Sequence, residues 1–129
     1  MLVLGASAVL LSGCNLQSDS QRLLDTEQGD ADRLSAEFAF FGGDLSSTRL
    51  AASTDTVDLY LARAGDDVCL IVVGTDGDAT GAAATCSQAA SMEITANTLG
   101  TYRLGAKDVT SDEFSWESLD NDVFVRATR

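Results

Sequence analysis

Hydrophobic and polar residues alternate most clearly in the middle of the chain. Val57, Leu59 and Leu61 alternate with polar residues, which is typical of a strand with one buried face. After a turn at residues 64–67, the continuous apolar run from Val68 to Val73 predicts a central strand that is buried on both faces. Together they predict an antiparallel hairpin over Thr56–Val73.

Shorter patterns on either side of this hairpin predict further strands. Residues 49–53 predict a strand before it, and the small residues of 74–85 predict a loop after it. The remaining predicted strands are Met92–Thr95, Thr101–Leu104, the alternating stretch Phe114–Ser118 and the closing segment Val123–Arg126. Asp120 and Asn121 predict the turn between the last two.

The region before the hairpin has the spacing of a helix. Its apolar residues recur at intervals of seven, three, four and three, which places them on one face: Leu24, Ala31, Leu34, Phe38 and Phe41. The spacing predicts one helix or two short helices between Ser18 and Phe41, with Gly42 and Gly43 at the end. We expect Phe38, Phe40 and Phe41 to dock against the sheet. The alternative is a polar linker, partly disordered, as far as Asp30.

These patterns together predict an α+β fold. We expect a small antiparallel β-sheet domain of five to seven short strands with an N-terminal helix. No internal repeat is evident.

The first fourteen residues differ from the rest of the chain. Met1–Gly13 contains no charged side chain, and the apolar run Leu2–Leu11 is shorter than the roughly 20 residues that span a bilayer. A short apolar run that ends in small residues is typical of a signal peptide, although the usual Lys or Arg near its start is missing. Either the α-amino group supplies the positive charge, or the true start lies upstream. A buried N-terminal element with an incidental cysteine is the alternative.

The segment Leu11-Ser12-Gly13-Cys14 resembles, position for position, the lipobox of bacterial lipoproteins. The resemblance implies cleavage before Cys14, lipidation (palmitate and diacylglycerol) of that residue, and tethering to the extracytoplasmic face of the cell membrane. The expected organisation is a signal peptide over 1–13, a lipidated cysteine and polar tether over 14–20, and a single domain over 21–129. The resemblance implies no activity.

With Cys14 modified by lipid, two cysteines of the three remain. Export would place Cys69 and Cys86 in an oxidising compartment, where paired cysteines usually form a bridge. We therefore expect one disulfide between them; two buried free thiols are the alternative. The segment from Leu59 to Cys86 is also similar to small extracytoplasmic domains of actinobacterial envelope proteins, a similarity that assigns no functional residue.

Charge and composition exclude several functions. The chain has a net charge of −12, with eight basic and twenty acidic side chains, so it lacks the clustered positive charge that nucleic-acid binding requires. It contains no His, which excludes Ser-His-Asp and Cys-His catalysis and histidine-ligated metals. The abundant Asp and Glu leave a carboxylate-dependent hydrolase as an alternative.

One stretch has part of a calcium-binding pattern. Asp76, Asp78 and Gly81 occupy the first, third and sixth positions of an EF-hand loop, but its twelfth position is Ser87 where a bidentate Glu is required. A solvated loop is the expected structure, and Asp120–Asp122 similarly predicts a hairpin turn. No cofactor or metal is therefore expected.

The predicted function is a non-enzymatic, lipid-anchored envelope module that binds an unknown protein or polymer. The alternatives are a small hydrolase that acts on envelope polymers and a passive structural spacer. An enzyme would show convergent buried carboxylates with raised pKa values.

Overall fold

The computed structural model describes residues 19–88, 91–96, 98–105 and 116–126. The described chain begins with helix α1 (Asp19–Leu24). Short 3-10 turns follow at Asp30–Asp32, Ala36–Phe41 and Leu45–Ser47, and a fourth lies at Ala79–Gly81. The strands are β1 (Arg49–Ser53), β2 (Val57–Ala64), β3 (Asp67–Gly74), β4 (Ala83–Ser87), β5 (Met92–Ala96), β6 (Gly100–Leu104), β7 (Trp116–Ser118) and β8 (Val123–Arg126).

The first sheet is an antiparallel meander in the order β1-β2-β3-β4. Its centre is the predicted hairpin, in which Val57 pairs with Gly74 and Ala64 pairs with Asp67 without interruption. The register between β1 and β2 shifts between Leu50 and Ala52. β1 confirms the strand predicted at residues 49–53. The loop predicted over residues 74–85 is shorter than expected, because β4 begins at Ala83.

The second sheet has the order β5-β6-β8-β7 and is also antiparallel. β5 pairs with β6 from Met92 opposite Leu104 to Ala96 opposite Gly100. β8 pairs with β6 on one side and with the short edge strand β7 on the other. The α+β class with an N-terminal helix is confirmed, but the described residues form eight strands in two sheets, whereas we predicted a single sheet of five to seven.

Apolar side chains pack the two sheets against each other. Those from the first sheet include Leu59, Leu61 and Leu70, and each of them is 0% exposed. The second sheet contributes Ile94, Ala96, Tyr102, Leu104 and Val123, and α1 contributes Leu24. Burial of this apolar surface is the main force that joins the sheets.

The other face of the first sheet is covered by the segment that precedes it. Phe38, Leu34 and Phe41 pack against Tyr60, Ala62, Cys69, Ile71 and Val73. Both faces of β3 are therefore buried, which explains its continuous apolar sequence. The predicted docking is confirmed for Phe38, which is 4% exposed, and for Phe41, whereas Phe40 is 51% exposed.

One continuous helix over residues 18–41 is wrong: the segment forms the short helix α1 and separate 3-10 turns, which is nearer to the alternative of two short helices. Leu24 packs between the two sheets and Phe38 packs on the opposite face of the first sheet, so one straight helix cannot bury both. The Asp32 carboxylate also accepts hydrogen bonds from the backbone N–H groups of Gly29 (2.8 Å) and Leu50 (2.9 Å). Such side-chain bonds compete with helical ones.

Polar side chains hold this segment together and attach it to β1. The buried Arg49 guanidinium donates hydrogen bonds to the carbonyl oxygens of Thr26, Ser46 and Thr48. Gln28 Nε2 donates to the carbonyl oxygens of Leu45 (3.0 Å) and Thr48 (3.2 Å). The fully buried Thr48 hydroxyl donates to the carbonyl oxygen of Asp32 at 2.7 Å. Residues 25–48 are consequently an ordered part of the domain, in place of the polar linker considered above.

Two glycines end the turn at Ala36–Phe41, at the predicted position. Gly42 adopts a left-handed conformation with φ of 81°, which favours glycine. At Gly43 a Cβ atom would lie 2.6 Å from the carbonyl oxygen of Arg63, so a larger residue would push the segment away from β2. The pair therefore allows the chain to turn sharply beside the sheet.

Candidate functional site

Cys14, the predicted lipidation residue, lies outside the described residues, as do the predicted signal peptide over 1–13 and residues 14–18 of the tether. Asp19 and Ser20, which the predicted boundaries assign to the tether, form the start of α1. Ser20 N donates a hydrogen bond to Asp122 Oδ2 at 3.0 Å, so the start of α1 is attached to the turn between β7 and β8.

The predicted disulfide is present. Cys69 in β3 and Cys86 in β4 are direct register partners, and their sulfur atoms are bonded at 2.01 Å. Cys69 is fully buried, and Cys86 Sγ lies 3.8 Å from the carbonyl oxygen of Phe41. The bridge therefore lies on the face of the first sheet that Phe38 and Phe41 cover.

The carboxylates of the calcium-like stretch stabilise their own loop. Asp76 Oδ1 accepts a hydrogen bond from the Asp78 backbone N–H at 3.0 Å. Asp78 Oδ1 accepts from the backbone N–H of Thr80 at 3.0 Å and from its hydroxyl. Within the described ranges, no group of three or more His, Cys, Asp or Glu residues is placed to hold a metal ion.

The Asp120–Asp122 stretch forms the predicted hairpin turn, with Asn121 and Asp122 at φ of 57° and 70°. Its side chains also contact other elements, which the sequence does not indicate. Asn121 Nδ2 donates to the carbonyl oxygen of Ala51 at 2.8 Å, and Asp122 accepts from Ser20 as described above. The turn thus joins the second sheet to β1 and to α1.

The pKa shifts of carboxyl groups are opposite to those expected of a general acid. A hydrogen bond from the Ser46 hydroxyl, followed by one from its backbone N–H, lowers the pKa of Asp44. The Thr80 hydroxyl and then its N–H lower the pKa of Asp78 in the same way. Both carboxylates remain ionised at neutral pH, where a general acid needs a raised pKa.

Burial raises the pKa of both tyrosines. At Tyr60 the nearby charges of Asp58 and Asp32 add to the effect of burial. The Tyr102 hydroxyl donates to the carbonyl oxygen of Leu99 at 2.6 Å. The two phenols are therefore neutral at physiological pH and act as core side chains.

A cationic and aromatic cluster lies on the outer face of the second sheet. Glu93, Arg103, Phe124 and Ser118 are aligned in register across the four strands, while their neighbours Ile94, Tyr102, Leu104 and Val123 point into the core between the sheets. Trp116 precedes Ser118 by two residues and shares its face, because side chains alternate along a strand. We call Glu93, Arg103, Trp116, Phe124 and Arg126 the outer cluster.

Arg103 is the centre of the outer cluster. Its guanidinium carbon lies 4.4 Å from the centroid of the Trp116 ring, and its Nη2 lies 3.3 Å from Glu93 Oε1. Only 19% of the Arg103 side chain is exposed, which strengthens its attraction to the ring and the carboxylate. Among the described residues, Phe124 is buried without belonging to either core, and Trp116 Nε1 is buried without a hydrogen-bond partner.

The outer cluster could not be identified from the sequence. Alternation within Thr101–Leu104 indicates that Arg103 points away from Tyr102, but it does not indicate which strand lies alongside. In the sheet β8 lies between β6 and β7, although β7 precedes it in the sequence, and this order brings Arg103 close to Trp116.

Comparison of the chain with family models, with curated proteins and with solved structures found no match in any of the three. Among the described residues, no helix is long and apolar enough to cross a membrane.

Proposed function

We propose that the protein is a lipid-anchored, extracytoplasmic module of a bacterial cell envelope that binds an envelope protein or polymer and catalyses no reaction. The observation that carries this proposal is the disulfide between Cys69 and Cys86. Structural disulfides form and persist in oxidising compartments outside the cytosol. Because the bridge uses two of the three cysteines, Cys14 is the remaining thiol and completes the lipobox-like segment.

The outer cluster supports a binding role. Aromatic and arginine side chains are enriched at the energetic centres of protein interfaces. In the outer cluster Arg103 is paired with Glu93 and lies over the Trp116 ring, so the cluster combines a charged pair with aromatic side chains.

The carboxylates favour binding over hydrolysis. A hydrolase of the alternative type needs one carboxylic acid with a raised pKa near a second carboxylate. The pKa values of Asp44 and Asp78 are instead lowered by hydrogen bonds that stabilise turns. We therefore assign these acidic side chains to loop structure and solubility.

Lipidation is tested by the substitution Cys14→Ser. We expect the native protein in the membrane fraction, with a mass increase from the lipid on Cys14, because two or three acyl chains give stable anchoring. The Cys14→Ser protein should be released or remain uncleaved. Ser18→Ala changes a neighbouring residue without removing the thiol and should stay membrane-bound. Equal membrane retention of a Cys14→Ser protein that has lost its signal peptide would overturn the proposal.

Binding is tested with the released Cys14→Ser protein and purified cell-wall sacculi. A polymer-binding module sediments with the sacculi, a hydrolase liberates fragments from them, and a spacer or a protein-binding module stays in the supernatant. We expect sedimentation without fragments, reduced by Arg103→Gln, which removes the guanidinium above Trp116. Arg33→Gln, at a surface pair, is the matched control and should sediment like the parent protein.

A further inference from the structure

Helix α1, where the predicted tether joins the fold, is held in place at both of its ends. Ser20 N is hydrogen-bonded to Asp122 Oδ2, and Leu24 at the end of α1 is 5% exposed in the core between the sheets. Asn121, beside Asp122, donates to the carbonyl oxygen of Ala51. We call the surface formed by Asp19, Ser20 and Asp120–Asp122 the N-terminal corner.

Four residues lie between Cys14 and Asp19. Whatever their conformation, five Cα–Cα steps reach at most about 18 Å, because a fully extended chain advances about 3.6 Å per residue. A folded domain of about 100 residues has a radius of gyration near 13 Å, so its full width exceeds this reach. A domain held so closely at one corner cannot turn every face towards the membrane.

We propose that the N-terminal corner faces the lipid headgroups, and that the end of the second sheet with Trp116 and Arg126 is turned away from the bilayer. This inference rests on the proposed function, because it takes Cys14 as the lipid-bearing residue. β8 leads from Asp122 at the corner to Arg126, which pairs with Trp116. At about 3.4 Å per residue, the strand places that end more than 10 Å further from the corner.

The side chains of the corner suit a polar headgroup layer. Asp120 is exposed, and Asp19 lies beside Arg22. Carboxylates do not enter the hydrocarbon region, but they are compatible with the ammonium groups of zwitterionic phospholipids. The contact expected is therefore polar and superficial, and the acyl chains on Cys14 supply the affinity.

The orientation is tested with the full lipidated protein in phosphatidylcholine vesicles that contain a fraction of nitroxide-headgroup lipid. One variant, Asp120→Cys, carries a bimane fluorophore at the corner. The matched variant, Thr75→Cys, carries it after β3, beside the loop whose Ala79 and Ala82 pack on the face of the first sheet opposite the second sheet. Both positions are exposed. We expect several-fold stronger quenching at position 120 than at position 75.

A variant with a longer tether gives a second test of the orientation. A flexible insertion of about 20 Gly and Ser residues between Ser18 and Asp19 adds a mean reach of about 25 Å and releases the constraint. Quenching at position 120 should then fall to the level at position 75. Equal quenching at the two positions in the native tether, or no change on insertion, would overturn the orientation. Mass spectrometry of the same samples shows whether Cys14 carries lipid, and an unmodified Cys14 would overturn the proposed function itself.

Discussion

The N-terminal segment, residues 25–48, and the two sheets are held in place by different contacts. Between the sheets, closely packed aliphatic side chains such as Leu61 and Leu70 are wholly buried. The N-terminal segment packs its phenylalanines on the first sheet, is attached to β1 by Arg49 and by the bond from Leu50 N to Asp32, and is held together internally by Gln28 and Thr48. Apolar burial is non-directional, whereas each of these polar contacts needs a particular donor and acceptor. The two regions should therefore lose structure in different ways.

The largest effect is expected from Leu61→Ala, which leaves a cavity between the sheets. Substitutions of this kind cost about 2–5 kcal/mol, through lost burial and unfilled space. We expect both sheets to unfold together, with a fall of more than about 10 °C in the Tm measured by calorimetry. Phe40→Ala is the control, because Phe40 is 51% exposed and its loss should change the free energy of unfolding by less than about 0.5 kcal/mol.

A smaller and local effect is expected from Arg49→Met, which keeps the length of the side chain and removes its donors. Three backbone carbonyl oxygens would lose their charged partner, at a cost of about 1–3 kcal/mol. We expect faster hydrogen exchange at the amides of Gly29 and Leu50, which bond to Asp32, while the amides of β3 remain protected. Arg63→Met removes an exposed pair with Asp25 and should have little effect. Equal acceleration in β3 would show that the two regions open as one unit.

The smallest effect is expected on stability at acid pH, where one turn from each region can be compared. The pKa values of Asp44 in the N-terminal segment and Asp78 after β3 are both lowered in the folded state. Each group therefore contributes stability that is complete above its unfolded pKa, about 3.9, and is lost as the pH falls through the folded value. Ser46→Ala should raise the pKa of Asp44 and leave that of Asp78 unchanged, as measured by carboxyl NMR titration. A similar rise in the pKa of Asp78 would show that the two turns are not independent.

The contrast between the regions also explains what the sequence could predict. The strands of the central hairpin were predicted almost to the residue, because alternation and apolar runs record burial directly. The spacing of Leu24, Leu34 and Phe38 was equally regular, but these side chains serve two different faces of the first sheet. Periodicity shows that residues are buried without showing against what, so it could not exclude one continuous helix where the chain crosses from one layer to another.

The polar contacts were beyond prediction for a similar reason. Arg49 occupies a strand position where a charged residue would ordinarily face solvent, and its partners Thr26 and Ser46 belong to separate turns. The outer cluster depends on the order of β6, β8 and β7, which short strands of similar composition leave open. The disulfide was predictable because counting cysteines requires no geometry.

The position of that disulfide has a consequence for how β4 finds its place. The sequence of β4, Ala83-Ala84-Thr85-Cys86-Ser87, consists of small residues, and every one is only partly buried. A strand with so little difference between its two faces specifies its alignment weakly, and a slip by one residue would cost little. Because Cys86 lies directly opposite Cys69, the covalent bond forbids such a slip. Oxidation thus supplies the alignment information that the side chains of this strand lack.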